Sequence, residues 1–272
     1  MAQILIRQPL TLAPTPIPPQ ARFFPVHRGY LRPLTGRLHR NYPLYRSVYP
    51  AKQFGHSPPT PLTTGLSTPM PDPLPNLIIL ASGSAIRAQM LRNAGLSFDV
   101  VLPRVDEDAL RESLTAEGAT PRDIADTLAE AKARRVANRH PTALVIGCDQ
   151  VLAFKGQTFA KPATPAVALS QLQTLSGGTH SLHSAVVLYA MGEPVWRHVG
   201  QVRLTMRPLS DAYLQDYINR NWDSIRHSVG AYKIEEEGAR LFTRIDGDYF
   251  TILGLPLLEL LSYLILRGTL PA

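Results

Sequence analysis

The chain has 272 residues, with 28 Lys and Arg against 21 Asp and Glu, a formal charge of +7 and a pI of about 9.7. The basic excess sits in the first 75 residues, which hold 16 of the 25 prolines and eight basic side chains against one acid, Asp72; the remainder is charge-balanced. A basic folded domain of the nucleic-acid-binding kind is thereby excluded, the single cysteine, Cys148, excludes an internal disulfide framework, and no apolar run reaches the ~18 residues needed to span a bilayer.

Residues 1–75 show no sustained hydrophobic period, and clusters such as Pro14-Thr15-Pro16-Ile17-Pro18-Pro19 favour extended chain. Too little apolar surface recurs to offset ordering entropy, so this stretch is read as a disordered, proline-rich basic leader. An Arg-rich, acid-poor leader also resembles an organellar transit peptide, although its prolines interrupt any amphipathic helix. A start site chosen too far upstream accounts for it equally. A lone thiol fits a reducing, cytoplasmic setting.

Residues 76–272 are expected to form one domain. Leu77–Ala81 is a short buried strand, followed by a Ser82-Gly83-Ser84 turn and a helix from Ala85 that is stopped by Gly95. Phe98–Leu102 predicts a second strand, Asp106-Glu107-Asp108 an acidic loop, and Pro121 the start of a long helix to about Asn138. Ala143–Ile146 reads as a strand ending at Gly147-Cys148-Asp149-Gln150. A hairpin over Val151–Phe154 and Thr158–Ala160 follows, and then a helix over Thr164–Leu175. Two strands, Ser181–Tyr189 and Val195–Met206, turn at Met191-Gly192. Ser210 caps a helix to about Asn219, Arg240–Ile245 and Tyr249–Leu253 pair as a hairpin, and Pro256 opens the last helix. Interleaved helices and strands with late antiparallel hairpins predict an α/β fold with a mixed twisted sheet and flanking helices.

The turn at Ser82–Arg87 is the first candidate site. A helix N-terminus offers unpaired N–H groups and partial positive charge to an anion, and Ser82, Ser84 and Arg87 add donors. Arg87 is notable because a cation in the first turn opposes the helix dipole. The plain alternative is an ordinary capped turn. Asp149, expected at a strand end, could hold a divalent cation or take a proton from an attacking water; the alternative is a turn aspartate satisfied by local N–H groups. Lys132 and Lys161 become phosphate partners if the serine turn lies close by. Glu107 belongs to an acidic cluster whose oxygens suit Mg²⁺ or Mn²⁺. His180 and His183 have no third ligand, which argues against zinc, and neither a P-loop nor a dinucleotide fingerprint occurs.

Taken in order, Leu80-Ala81-Ser82-Gly83-Ser84 with Arg87, Asp106-Glu107, Ala131-Lys132-Ala133, Gly147-Cys148-Asp149-Gln150, Lys161-Pro162, Leu175-Ser176-Gly177 with His180, Gly230-Ala231-Tyr232 and Gly254-Leu255-Pro256-Leu257 resemble the Maf family of nucleoside triphosphate pyrophosphatases. The resemblance runs from about Leu77 to Leu266. It implies two lobes around a deep cleft and hydrolysis between the α- and β-phosphates with a divalent cation, Mg²⁺ or Mn²⁺. It also implies Asp149 as the catalytic carboxylate, Ser82, Ser84, Arg87, Lys132 and Lys161 at the phosphates, and Glu107 near the metal. Base choice in this family is associated with the positions of Ile86, Gln150 and Glu235. The dTTP/UTP branch has Arg, Thr and Gln there and the 7-methyl-GTP branch Trp, Gln and Glu, so two of three positions favour the latter. The expected partner is a nucleoside triphosphate, with no nucleic acid and no membrane; a homodimer is one option. A nucleotide-binding division regulator without turnover is the rival reading.

Overall fold

In the computed structural model, which describes residues 77–271, strand β1 (Ile78–Ala81) is buried along its whole length. Helix α1 (Ala85–Asn93) follows, capped by Ser84, whose hydroxyl accepts from the Arg87 N–H. The expected second strand shrinks to β2 (Asp99–Val100), both residues exposed. The leader expected to be disordered lies outside the described residues.

The acidic cluster is not a loop. Asp106 accepts from the Ala109 N–H and caps helix α2 (Glu107–Ala116), so Glu107 and Asp108 occupy a first turn where the helix dipole favours them. Helix α3 (Pro121–Ala137) starts on its proline as predicted and buries Ile124, Ala125, Leu128, Ala129, Ala133 and Val136 on one face.

Strand β3 (Leu144–Phe154) corrects a second expectation. It does not stop before Asp149 but continues for five residues beyond it, because β5 (Thr179–Ala190) pairs antiparallel with it from Val145 to Ala153. The short β4 (Gln157–Phe159) and helix α4 (Pro165–Leu175) lie between them in the chain. Strand β6 (Glu193–Met206) follows β5. Helix α5 (Asp211–Ile225) outruns the predicted end at Asn219, since the buried stripe Leu214, Tyr217, Ile218 continues to Ile225. Strand β7 (Phe242–Asp246) comes after a short 3-10 turn, Glu237–Leu241. The segment expected to pair with it is instead a helical turn, α6 (Tyr249–Ile252). Asp248 accepts from the Phe250 and Thr251 N–H groups at 3.0 and 2.7 Å and so commits the chain to a helix start. Helix α7 (Leu257–Leu266) begins after Pro256 as expected.

The sheet has seven strands in the order β2-β1-β3-β5-β6-β7, with β4 on β3 as well. One face is covered by α3, against Ile79, Val145, Val151, Ala185 and Val187. The other face carries two separate apolar cores. One joins Ile146, Cys148, Val186 and Leu188 to residues of α1 and α7; the second joins Leu152, Leu182 and Val202 to α4 and α5. The break between them falls at the cross-strand pair Gln150 and Ser184. This division gives the two expected lobes a physical basis in one continuous sheet.

Candidate active site

The site begins as a gap in one sheet edge. β1 runs parallel to β3 and leaves it at the Ala81–Gly147 pair; β4 runs antiparallel along the same strand and leaves it at the Phe159–Leu152 pair. The carboxyl ends of both strands therefore point toward each other across Cys148–Val151, a span of roughly 15 Å. The Ser82 turn enters this gap from one side and Lys161, two residues beyond β4, enters from the other. Asp149 sits beside the gap, in mid-strand.

Strand alternation turns Asp149 to the α3 face, where Lys132 lies buried. The Lys132 Nζ donates to Asp149 Oδ1 at 2.6 Å and pairs with Glu107 Oε2 at 2.8 Å. Gly147 makes this approach possible: a Cβ there would collide with the Ala129 carbonyl and come within 2.7 Å of Ala133. With helix and strand this close, one turn of α3 carries Lys132 to the carboxylate. Asp149 Oδ2 is buried and has no hydrogen-bond partner. One oxygen is thus fixed by the lysine and the other is left able to accept a proton.

Arg87 is buried despite its charge. Its Nε donates to the Gly254 carbonyl at 2.7 Å, and its Nη1 donates to the Cys148 carbonyl at 3.0 Å and to Ser82 Oγ at 3.4 Å. Those bonds leave Nη2 without a protein acceptor and fix the guanidinium plane at the gap. Ser82 is buried and also accepts from the Ser84 N–H at 3.2 Å. Ser84 accepts from the Arg87 backbone N–H as the cap of α1, so of the two serines only Ser82 contacts the guanidinium.

Electrostatics bind the remaining groups to this centre. Burial would raise the Glu107 carboxyl, but the charge and hydrogen bond of Lys132, with Lys161 and Arg111, hold it below its ordinary range. Lys161 titrates below its usual range. Partial burial is the main cause, and Arg87 and Lys132 reinforce it against the opposing pull of Glu107 and Asp149. Three cations (Arg87, Lys132, Lys161) and two carboxylates (Glu107, Asp149) thus surround one gap, an environment suited to a polyanion.

Gln150 points to the face opposite Asp149, where its Nε2 donates to Ser184 Oγ at 2.9 Å and to the Thr251 and Ile252 carbonyls at 3.2 and 2.9 Å. Neighbouring strand residues face opposite ways, so Gln150 does not share the face of Asp149. Ile86 is half-buried in the first turn of α1. Glu235 is exposed, and its neighbours Glu236 and Glu237 bond to Ser224 and to Arg220 and Asn221 of α5. His180 and His183 fall on opposite faces of β5. His180 is buried with Nε2 2.7 Å from the Tyr232 hydroxyl, so the two histidines do not converge.

Sequence reasoning missed the Cys148 and Gly254 carbonyls and Ser184. Carbonyl acceptors have no residue code, and a serine within an apolar strand carries no local signal.

A family model described as a Maf-like protein matches residues 77–266. Similar curated proteins are nucleoside triphosphate pyrophosphatases of Roseobacter denitrificans, 62% identical over 73% of this chain and 100% of that protein, and of Ruegeria pomeroyi, 61% identical over 71% and 97%. A 7-methyl-GTP pyrophosphatase of Rhizobium meliloti is 48% identical over 72% of this chain and 98% of its own.

Proposed function

Because the chain belongs to the Maf-like family, we propose that its sheet-edge gap hydrolyses nucleoside triphosphates to a monophosphate and pyrophosphate. The observation that carries this reading is the buried, half-satisfied Asp149: Oδ1 held by Lys132 and Oδ2 open, beside three cations. The phosphate chain lies across the gap between Arg87 Nη2 with Ser82 on one side and Lys161 on the other. Asp149 Oδ2 accepts a proton from a water, the water oxygen bonds to the α-phosphorus, and the bond from that phosphorus to the α–β bridging oxygen breaks. Arg87 and Lys161 stabilise the charge that gathers on the departing pyrophosphate.

A divalent cation fits the donor set. The Glu107 carboxylate is a hard oxygen donor beside the gap, and Mg²⁺ takes one or two carboxylates and completes its shell with water and phosphate oxygens. Among the described residues no cluster of three or more His, Cys, Asp or Glu side chains forms a cage, so the substrate would supply the other ligands. Such an ion would withdraw charge from the phosphate oxygens and favour attack at phosphorus.

For the base, the reading leans to 7-methyl-GTP. Glu235 offers an exposed carboxylate to a cationic or N–H-rich guanine edge, and the Rhizobium relative carries that substrate in its name. The alternative is dTTP or UTP. The setting proposed is a cytoplasmic nucleotide pool; no helix among the described residues is long and apolar enough to cross a membrane.

The test is hydrolysis in ¹⁸O-water by wild type and Asp149→Asn. Label in the monophosphate with none in pyrophosphate, and a rate ~10²–10⁴-fold lower in the variant, is expected. Label in pyrophosphate, or an unimpaired variant, refutes the assignment.

A further inference from the structure

Three glutamates in a row, Glu235, Glu236 and Glu237, follow Tyr232 in the stretch between α5 and β7. The stretch starts at the gap. A 3-10 turn, Val229–Ala231, rests on β3: a Cβ on Gly230, whose φ is +77°, would stand 2.5 Å from Leu152 Cδ1. Leu152 pairs with Phe159, the pair at which β4 leaves β3 and one lip of the gap forms. Tyr232 is then pinned through its hydroxyl to His180 Nε2 at 2.7 Å. Glu235 follows Gly230 by five residues, so its backbone stays within ~18 Å of that lip.

Beyond Tyr232 the chain doubles back. A Cβ on Gly238 would come 2.3 Å from the Lys233 carbonyl oxygen, and the Glu236 N–H donates to the same carbonyl at 3.3 Å. Two of the three acids are tied to α5. The Ser224 hydroxyl donates to the Glu236 carboxylate at 2.7 Å and accepts from Lys233 Nζ at 2.7 Å, while Lys233 pairs with Glu236 at 3.1 Å. One turn earlier on α5, Arg220 and Asn221 donate to Glu237, each at 2.8 Å, and hold its carboxyl down to about 2. Lys233 and Glu236 flank Glu235 in the chain, so a single hydroxyl holds both ends of the turn that carries it. Glu235 itself is exposed and makes no hydrogen bond or ion pair among the described residues.

We infer that Ser224, with Lys233, is a positioning residue for base selection: it closes the turn over 233–236 onto α5 and so presents Glu235, the unpaired acid of the run, to the base of a nucleotide whose phosphates lie in the gap. This rests on the reading of Glu235 as a base contact. The turn is held in shape before the substrate arrives, so little ordering cost is subtracted from the contact that Glu235 makes. The pairing also sets the charge. Lys233 and Arg220 neutralise Glu236 and Glu237, which leaves one carboxylate for a cationic or N–H-rich base and spares the triphosphate the repulsion of three.

The test measures kcat/KM of the full chain for 7-methyl-GTP, GTP and UTP. Inorganic tripolyphosphate, which has no base, is titrated calorimetrically in magnesium buffer to read the phosphate site alone. Ser224→Ala should lower the ratios of 7-methyl-GTP and GTP to UTP by about tenfold and leave tripolyphosphate affinity within twofold of wild type. Ser224→Thr, which keeps the hydroxyl, should retain the wild-type ratios, and Ser224→Ala should add no further change to Glu235→Gln. Arg220→Ala, at an exposed site on the same helix, should shift the ratios in the same direction and serves if Ser224→Ala fails to fold. Unchanged ratios in the folded variants, or an equal loss for all three nucleotides and tripolyphosphate, overturns the inference. Failure of the underlying reading looks different: Glu235→Gln itself would then leave the ratios as they are in wild type.

Discussion

Replacing Lys132 by methionine tests the centre of the site. The methionine keeps most of the buried volume and removes the charge that neutralises two carboxylates. Lys132 and Asp149 are 6% and 4% exposed and 2.6 Å apart, so truncating one partner leaves a charge that water does not reach. Breaking such a pair costs ~3–5 kcal/mol. The Glu107 side chain is 36% exposed and solvent screens it, so its share adds no more than about 1 kcal/mol. For a domain of this size the sum lowers Tm by roughly 6–24 °C. Calorimetry at neutral pH should show that drop, and it should shrink at lower pH, where a protonated carboxyl is cheaper to bury. Lys132→Met combined with Asp149→Asn should recover much of the loss, because the orphaned charge is gone. A Tm within about 2 °C of wild type, or a double variant less stable than Lys132→Met, would refute the claim that these two groups compensate each other in a dry site.

Gly147→Ala should destabilise by ~1–3 kcal/mol or more in thermal unfolding, through overpacking against the α3 backbone, and should lower activity by withdrawing Lys132; a neutral outcome would mean that α3 has room to retreat. His180 is held down to about 4 from an ordinary 6.5 by burial, so the unfolded chain takes up its proton first as pH falls. That contribution is fully present above pH 6.5 and is lost between pH 6.5 and 4, by about 3 kcal/mol at most. Denaturant unfolding at stepped pH should show His180→Gln with a flatter profile than wild type over this window, and parallel profiles would contradict it. Glu235→Gln should weaken any preference for 7-methyl-GTP or GTP over UTP by roughly 10- to 150-fold in kcat/KM, and Ile86→Trp should strengthen it. Identical ratios in all three proteins would remove the base assignment.

Much of this molecule is set by local chemistry. Ser210 caps its helix, Pro121 and Pro256 mark helix starts, and Met191-Gly192 closes the β5–β6 turn, all legible as short-range patterns. The residues that carry charge to the site were also legible, because a buried-strand motif, a serine turn and isolated lysines stand out by type. What the sequence does not contain is which groups meet. Asp149 reads as a strand end because Gly147 looks like a terminator, yet β5 pairs across it and keeps it in the sheet. Tyr249–Leu253 reads as strand by its aromatic and β-branched residues, yet the Asp248 cap and the Gln150–Ser184 row make it helical and dock it. Gln150 adjoins Asp149 in the chain but faces away from it. Local propensity and capping act over three or four residues and are written in the sequence. The gap between β1 and β4, the Lys132 bridge and the aim of Arg87 depend on strand pairing and helix docking between residues up to 167 positions apart, which only the folded chain decides.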